Sequence, residues 1–459
     1  MFVPNGTHVT KAKVVRLEQI RLLGKIGKNK MRKMKNSGIE WIGEIPEDWE
    51  VSKLKPFLQW KSVKGFGNET VLSLYRDFGI IPKESRDDNH NVTSLDTDSY
   101  KLVEIGDFVI NKMKAWQGSM AISNYRGIVS PAYHVCSIKN SKIYKPYFHY
   151  LMRNKSYLPE YERLSSGLRI GQWDLSFEDF CQIKFIIPSF IEQQRIADFL
   201  EKKCSEIDSV ISKTSETIEE YKKLKQSIIT EVVTGKVKIE NGKVKESEML
   251  DVKGNKLPND WKWMKLKYLV TENLQYGANE AGVDFSSDLP RYIRITDIDS
   301  NGKLKNENKL SLTEEIARNF ILDEGDILFA RSGASVGKTF IYKSEYARAG
   351  FAGYLIRAKL NKSIINPQFF FYFTNSSFYE IWKNGIFIQS TIQNIGADKY
   401  SELQVPVPPL TSQLSLITFL DQKCSEIDAL ITKKEQLVVE LESYKKSLIY
   451  EVVTGKRSV

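Results

Sequence analysis

The sequence predicts an α+β protein of two similar halves, each a globular α/β domain followed by a long helix. Three observations predict this fold class. A segment with apolar residues at helical spacing occurs twice, and the region before each copy mixes short β-type runs with turn residues. The length of 459 residues and the apolar content of 41% allow two or three cores. We expect the two helices to pack antiparallel as a coiled coil, in a pseudo-twofold internal repeat.

The repeat is the strongest pattern in the chain. Residues 185–236 and 405–456 share 22 of 52 positions without a gap, at an offset of 220. Pro-x-Asp-Trp opens each half, at Pro46 and at Pro258. Between these flanks the halves diverge, and a Gly-Asp pair before a β-type run is one of the few shared features. Similar segments therefore alternate with variable domains.

Domain boundaries follow from the repeat. These boundaries divide the chain into six segments: a basic N-terminal extension that need not be ordered (1–36), a first variable domain (37–187), a first long helix (188–235), a linker (236–256), a second variable domain (257–407) and a second long helix (408–456).

The repeated segments read as long helices. Apolar residues recur every three or four positions from Ile196 to Val232 and from Leu416 to Val452, although Lys434 interrupts the second stripe. Prolines precede both segments, and Gly235 and Gly455 follow them, as at helix starts and ends. Two unrelated surface helices are the alternative, but like sequences in one chain favour mutual packing.

The net charge of +10 is concentrated at the N-terminus. Residues 1–35 hold ten basic residues and one acidic residue, which leaves 57 basic and 56 acidic residues in the rest of the chain. A basic arm can bind phosphates without sequence preference. An upstream-extended reading frame, with Met34 as an internal start, explains the same residues. The overall charge is thus weak evidence for DNA binding.

The sequence lacks the motifs expected for several kinds of site, including metal, phosphate-binding and methyltransferase sites. The four cysteines form no CxxC pair and the four histidines no ligand spacing, so we expect reduced cysteines and no metal site. Gly333 precedes Gly337 by one residue too few for a phosphate loop, and Asn366-Pro367 lacks the second proline of an amino-methyltransferase loop. No run approaches the roughly 18 apolar residues of a membrane span, so we expect a cytoplasmic protein.

Together these motifs resemble the specificity subunit of Type I restriction-modification systems. The resemblance rests on the run Gly38–Trp49, the repeated Pro-x-Asp-Trp and Gly-Asp motifs, and the paired segments ending Glu-Val-Val-Thr-Gly-Lys, and it covers residues 37–459. It implies that each variable domain is a target-recognition domain for one part of a bipartite, asymmetric DNA sequence. The second helix begins with Ser412-Gln413 where the first has Glu192-Gln193, so the contacts at that helix start remain open.

The resemblance also implies partners. The chain would bind double-stranded DNA and two modification subunits, which bind S-adenosylmethionine and methylate adenine N6. Restriction subunits would add ATP-dependent cleavage with Mg. The chain itself would hold no catalytic residue and no cofactor. An orphan DNA-binding or regulatory protein of the same fold is the alternative, whereas a free-standing methyltransferase or nuclease has no complete motif to support it.

Candidate binding residues are polar side chains in turn-rich stretches, for each of which a solvated surface charge is the alternative. The DNA-binding candidates are Lys61, Lys64, Arg76, Lys112, Lys114, Gln117, Tyr133, Arg169, Gln172, Tyr276, Arg291, Arg294, Arg331, Ser332, Lys338, Arg348 and Gln389. The candidates for docking modification subunits, on outward helix faces, are Glu206, Asp208, Glu426 and Asp428.

Overall fold

A computed structural model describes residues 32–75, 78–86, 97–167, 173–240, 243–252, 255–299, 302–388 and 394–459. The chain divides into two units. The first unit contains residues up to 212 together with 438–459, and the second unit contains residues 213–437. Each unit therefore combines one variable domain with a part of each long helix.

The first unit is mixed α/β. Its strands are β1 (Met34–Asn36), β2 (Glu44–Pro46), β3 (Glu50–Lys53), β4 (Leu58–Lys61), β5 (Leu72–Tyr75), β6 (Gly79–Pro82), β7 (Lys101–Val103), β8 (Phe108–Asn111), β9 (Met120–Ile122), β10 (Gly127–Val129), β11 (Tyr133–Ile138) and β12 (Lys184–Ile187). Its helices are α1 (Lys145–Met152), α2 (Leu158–Leu164), α3 (Phe177–Gln182) and the first part of α4 (Phe190–Val233).

The second unit is also mixed α/β. Its strands are β13 (Val237–Glu240), β14 (Lys243–Glu246), β15 (Met249–Val252), β16 (Asn255–Pro258), β17 (Lys262–Lys265), β18 (Gln275–Tyr276), β19 (Val283–Asp284), β20 (Arg291–Ile293), β21 (Leu310–Ser311), β22 (Ile327–Ala330), β23 (Thr339–Ile341), β24 (Ala349–Phe351), β25 (Leu355–Ala358) and β26 (Gln404–Val407). Its helices are α5 (Glu314–Ala317), α6 (Pro367–Phe373), α7 (Ser377–Ile388), α8 (Ala397–Ser401) and the first part of α9 (Leu410–Val453).

Both units contain the same central sheet. Its strand order is β4-β11-β8-β9 in the first unit and β18-β25-β22-β23 in the second, and every pairing is antiparallel. A two-stranded sheet leads into each long helix, β3 with β12 and β17 with β26. The predicted mixed α/β fold in two domains is confirmed. The second unit adds a sheet of its own, β19-β21-β20-β24, in which β20 and β24 run parallel.

The repeated Gly-Asp pair forms the turn before the central strands β8 and β22. Gly106 and Gly325 have φ angles of +85° and +90°, a region that glycine adopts without steric cost. The Asp107 carboxylate accepts a hydrogen bond from the Glu104 backbone N–H at 2.9 Å, and Asp326 accepts one from the Asp323 N–H, also at 2.9 Å. The motif is therefore structural in both halves.

The aromatic helix of each half lies in a core. Phe369, Phe370 and Phe373 of α6 are fully buried, as are Tyr147 and Phe148 of α1. Phe148 and Phe370 contact Phe108 and Phe329 of the central sheets, so these rings belong to the cores and offer no stacking surface.

A buried glutamine fixes the start of each long helix. Gln193 donates to the carbonyls of Lys142 (2.8 Å) and Pro188 (2.9 Å) and accepts from the Tyr144 N–H (2.8 Å). Gln413, at the equivalent position, donates to the carbonyls of Ile364 (3.0 Å) and Pro408 (2.8 Å) and accepts from the Asn366 N–H (2.7 Å). The glutamine contacts, left open by the sequence, are thus the same at both helix starts.

The glycine after each long helix packs against a Pro-x-Asp-Trp motif. Gly235 and Gly455 both have a φ angle of +73°. A Cβ atom on Gly235 would lie 2.6 Å from the ring of Pro258, and one on Gly455 would lie 2.4 Å from the ring of Pro46 and 3.0 Å from Trp49. The glycine that ends each half therefore meets the Pro-x-Asp-Trp motif that opens the other half. In the first unit, the end of α9 closes on the start of the first domain.

Within each unit, the helix segments are joined by equivalent ion pairs. Lys445 binds Asp208 at 2.6 Å in the first unit, and Lys225 binds Asp428 at 2.7 Å in the second. The lysines are 220 residues apart, and so are the aspartates. Exposed pairs of this kind contribute about 1 kcal/mol or less, so they fix register more than stability.

The segments of α4 and α9 in the second unit run antiparallel. Lys225 contacts Asp428, whereas the Lys434 ammonium lies 5.9 Å from the ring centroid of Tyr221. Lys434, which interrupts the apolar stripe, thus covers an aromatic ring. Leu224 falls within the apolar stripe predicted from Ile196 to Val232, but its side chain is not buried, because it is 47% exposed.

Two stretches outside the predicted domains are ordered. The predicted linker contains two hairpins, β13 with β14 and β15 with β16. Residues 32–36, assigned to the basic extension, belong to the first unit, where β1 pairs with β2. Arg32 binds Asp48 at 2.7 Å and also binds Glu192, and its guanidinium lies 5.8 Å from the Trp49 ring. Residues 1–31 lie outside the described part of the chain.

Substituting Gly455 with alanine should destabilise the first unit by about 1–3 kcal/mol, because the methyl group meets Pro46 and the residue must keep a left-handed backbone. Gly43→Ala is the matched control, since Gly43 has a φ angle of +74° but open space around it. Urea unfolding followed by tryptophan fluorescence measures both variants. If both variants lost the same unfolding free energy, Gly455 would be needed only for its left-handed backbone and not for its close contact with Pro46.

His149 should make the first unit acid-sensitive. Burial, with a smaller contribution from Arg153, lowers the pKa of His149 from 6.5 to about 3, and its Nδ1 accepts from the Ile122 N–H at 3.2 Å. The unfolded chain therefore takes up a proton below pH 6.5 that the folded chain refuses, so the stability present above pH 6.5 is lost as the pH falls towards 3. Between pH 7.5 and 5, we expect the unfolding free energy of the wild type to fall by about 2 kcal/mol more than that of His149→Asn. Equal pH dependence in the two proteins would contradict this assignment.

Candidate nucleic-acid interface

A basic residue follows the equivalent central strand in each unit. Lys112 follows β8, and its carbonyl accepts from the Leu175 N–H at 3.1 Å. Arg331 follows β22, and its carbonyl accepts from the Ile395 N–H at 2.9 Å. Leu175 and Ile395 are 220 residues apart. The fold therefore brings two of the predicted DNA-binding residues to the same place in the repeated architecture.

In the first unit, a buried lysine lies near Lys112. Lys101 of β7 is 7% exposed, and its ammonium donates to the carbonyls of Tyr133 (2.6 Å) and Pro131 (3.2 Å). The ammonium lies 5.8 Å from the ring centroid of Trp60, which is half exposed. A cation beneath an exposed aromatic ring is an arrangement that suits nucleic acid, because the ring can stack and the cation attracts phosphate.

Further lysines surround Lys101. Burial lowers the pKa of Lys101, and the positive charges of Lys112 and Lys64 lower it further. Lys64 and Lys114 are exposed. We define Lys64, Lys101, Lys112 and Trp60 as the first cluster. An anion in this cluster would relieve the repulsion among its three lysines.

The other candidates of the first unit have structural contacts. Lys61 binds Asp107 at 2.6 Å, and Lys112 also binds Asp174 at 3.0 Å. Tyr133 is partly buried on β11, where burial raises its pKa, and Gln117 lies partly buried at the end of a 3₁₀ turn. Arg76, Arg169 and Gln172 lie outside the described residues.

In the second unit, Arg331 stacks on a tyrosine. Its guanidinium lies 4.9 Å from the ring centroid of Tyr276, whose hydroxyl accepts from the Ala397 N–H at 3.0 Å. The backbone N–H of Arg331 donates to the carbonyl of Tyr354 at 3.0 Å, and Ser332 forms a β-bridge to Asn394. We define Tyr276, Arg331, Ser332 and Tyr354 as the second cluster. Its two tyrosine rings are exposed, and the buried Nε atom of Arg331 has no partner among the described residues.

The remaining candidates of the second unit are not part of this cluster. Lys338 is exposed at the start of β23. Arg348 binds Glu314 through both ends of its guanidinium, at 2.5 and 2.9 Å. Arg294 binds Asp297 at 2.8 Å, and Arg291 is 7% exposed, so both are held inside the unit. Gln389 lies outside the described residues.

The predicted docking carboxylates are all engaged by lysines. Asp208 and Asp428 form the ion pairs between helix segments described above. Glu206 binds Lys203 at 2.7 Å and Glu426 binds Lys423 at 2.9 Å, each three residues along the same helix. Asp208 and Asp428 thus have a structural role that sequence analysis did not foresee.

Sequence reasoning missed Lys101, Trp60 and Tyr354. Trp60 stands directly before Lys61, and an aromatic residue beside a basic one is a usable signal for nucleic-acid binding. No sequence pattern around Lys101 indicates its role, because the residue is held by carbonyls of the distant turn at residues 131–133.

The motifs set aside as look-alikes are structural. The Asn366 side chain accepts from the Gln368 N–H at 2.8 Å and thereby caps α6. Residues 333–335 form a 3₁₀ turn between β22 and β23. Among the described residues, no group of three His, Cys, Asp or Glu side chains is placed to hold a metal ion. No described helix has the length and apolar content that crossing a membrane requires.

Comparison with known proteins gives a consistent family. A profile described as the Type I restriction modification DNA specificity domain matches residues 46–220 and 243–440. The Type I restriction enzyme MjaVIII specificity subunit of Methanocaldococcus jannaschii is 27% identical over 432 residues, which are 90% of this chain and 93% of that protein. The StySPI specificity subunit of Salmonella potsdam is 22% identical over 326 residues, 70% of this chain and 67% of the relative.

A solved structure shares the fold. Its published title is "Structural basis underlying complex assembly and conformational transition of the type I R-M system". The TM-score is 0.68 at 15% identity, and the alignment covers 90% of this chain and 99% of the other.

Proposed function

The chain belongs to the Type I restriction-modification DNA specificity family, and we propose that each unit reads one part of a bipartite, asymmetric DNA target through the cluster at the end of its central sheet. The chain is thus the DNA-recognition subunit of a Type I restriction-modification system. The observation that carries the proposal is the equivalence of Lys112 and Arg331, each held by the same backbone hydrogen bond in a repeated fold.

The two clusters differ in chemistry. Arginine contacts guanine O6 and N7 through two parallel hydrogen bonds, and such pairs discriminate between bases. Stacking on Tyr276 restricts the Arg331 guanidinium, which lowers the entropy lost when it binds a base edge. The three lysines of the first cluster suit phosphate contacts, which position DNA but carry no sequence information. The exposed Trp60 supplies a surface for stacking or for apolar contact with bases.

For the helices, we propose an antiparallel coiled coil of α4 and α9 with a pseudo-twofold repeat. The equal offset of the Lys225–Asp428 and Lys445–Asp208 pairs supports it. The free faces of these helices would dock two modification subunits. Those subunits would bind S-adenosylmethionine and methylate adenine N6, and restriction subunits would add ATP- and Mg-dependent cleavage. Glu206 and Glu426 remain candidates for this docking, since their lysine partners lie on the same helix. We propose a cytoplasmic location, because this chemistry acts on cellular and incoming DNA.

Replacing Arg331 with alanine should weaken methylation by the complex with modification subunits and relax base preference in one part of the target only. The loss of a two-bond contact to guanine corresponds to about 1–3 kcal/mol at that base pair. Methylation of a DNA library randomised in both parts measures preference and rate together. Arg348→Ala is the matched control, because Arg348 is exposed and held by Glu314.

Two outcomes would contradict the assignment of Arg331. Equal loss on every sequence would make Arg331 a phosphate contact. Altered preference in both parts of the target would contradict the proposal that each unit reads one part. In the same assay, Lys112→Ala should lower the rate on all sequences.

A further inference from the structure

The second unit buries an arginine that forms no direct ion pair among the described residues, although the Asp297 carboxylate is near enough to attract it. Arg291 of β20 is 7% exposed, yet no described residue forms an ion pair with it. One Nη atom donates to the backbone carbonyl of Lys305 at 2.5 Å, and the buried Nε atom has no partner among the described residues. Burial lowers the pKa of Arg291, the Asp297 carboxylate opposes this shift, and the positive charge of Arg294 adds to it. Burying a guanidinium in this way costs free energy, so the contact with Lys305 needs an explanation beyond simple packing.

A second arginine holds the same segment. Arg294 binds Asp297 at 2.8 and 3.0 Å and donates to the carbonyl of Asn308 at 2.7 Å. Asn308 has a φ angle of +51°, in the left-handed region that asparagine adopts more readily than most residues with a side chain. The backbone N–H of Lys305 donates to the carbonyl of Asp297 at 2.8 Å. Residues 302–309, here called the basic loop, are thus fixed at several points, and such over-determined segments are common at functional sites.

Leu304 of the basic loop packs against a core that includes Ala330 and Leu355, the residues next to Arg331 and Tyr354 of the second cluster. A Cβ atom on Gly302 would be 3.7 Å from the carbonyl of Thr339, the residue after Lys338. The loop thus begins beside β23, which pairs with β22, the strand that ends directly before Arg331. The strand β20, which carries Arg291, is also linked to this region. The Ala352 N–H donates to the carbonyl of Ile293 in β20, and two residues further on the Tyr354 carbonyl accepts from the Arg331 N–H.

The basic loop carries three lysines and one acidic residue, Glu307. Lys303 is exposed, Lys305 donates to the carbonyl of Thr296 at 3.0 Å, and Lys309 lies 5.2 Å from the ring centroid of Phe285. Lys303 is therefore the side chain best placed to reach outward. A fixed loop with exposed positive charge beside a base-reading cluster suits the DNA backbone.

We propose that the basic loop is a second DNA contact of this unit, in which Lys303 binds a backbone phosphate while Arg291 and Arg294 are positioning residues. Two residues that the sequence selected as base readers would then act through the loop they hold. The inference rests on the proposed DNA-recognition function. It adds a surface that reads no sequence but holds the DNA against the second cluster.

The test uses the full chain in complex with modification subunits. Binding of DNA that carries the methylated motif is measured from 50 to 300 mM salt for wild type, Lys303→Gln, Arg291→Met, Arg291→Lys and the double variant Lys303→Gln/Arg291→Met. Lys262→Gln is the control, because Lys262 is exposed on β17 of the same unit. Loss of one phosphate contact should reduce the slope of log K against log salt by about 1 and lower affinity about threefold to tenfold at physiological salt.

We expect Lys303→Gln to show these changes equally on matched and altered targets, and Lys262→Gln to resemble the wild type. Arg291→Met should reproduce the loss in salt slope without changing base preference, and adding it to Lys303→Gln should change little further. Arg291→Lys, which keeps a donor for the Lys305 carbonyl, should restore most of the affinity. Thermal unfolding of each variant identifies any that fail to fold, and Lys303→Gln alone then carries the test.

An unchanged salt slope in Lys303→Gln would overturn the proposal. A change of base preference in Arg291→Met would instead make Arg291 a direct reader and also overturn it. Failure of the wild-type complex to bind any specific motif would contradict the proposed function itself, so the two failures are distinguishable.

Discussion

The contact between the glycine after a long helix and the Pro-x-Asp-Trp motif is the constraint on which the architecture depends. A left-handed glycine leaves no room for a side chain beneath Pro46 and Trp49, and the same is true at Gly235 beneath Pro258. Each contact joins the end of one half to the start of the other half. In the first unit, it joins elements separated by about 400 residues, and residues 438–459 belong to the same unit as the first domain.

The buried glutamines and the Lys–Asp pairs act at the other points where helices meet domains or one another. Gln193 and Gln413 satisfy three backbone groups each at the helix starts. Their geometry is the same although the residues before them differ, Glu192 in one half and Ser412 in the other. Glu192 instead binds Arg32. Its carboxylate also accepts a hydrogen bond from the indole N–H of Trp49 at 3.0 Å. Fixed joints of this kind allow the variable domains to diverge while the frame stays the same.

Much of the frame could be predicted from sequence, because repeats and helical periodicity are local patterns. The two long helices, the duplicated domains and the aromatic cores follow from such patterns. The site was predicted only in part. Lys112, Arg331, Ser332 and Tyr276 were selected as polar residues near turns, and the fold brings the last three together. Arg291 was selected on the same grounds, but nothing in a short sequence window reveals that β20 lies between two other strands, which buries it. Lys101 was missed because its partners are backbone carbonyls thirty residues away.

The division of the chain has a consequence for biosynthesis. The second unit is continuous in sequence, since it consists of residues 213–437, whereas the first unit needs residues 438–459 as well. A ribosome releases the chain from its N-terminus, and domains generally fold as they emerge. The first unit, whose synthesis begins first, must therefore wait for residues 438–459, and the second unit can be complete before it. The first-domain surface that packs against Gly455 remains without its partner until residues 438–459 have been synthesised.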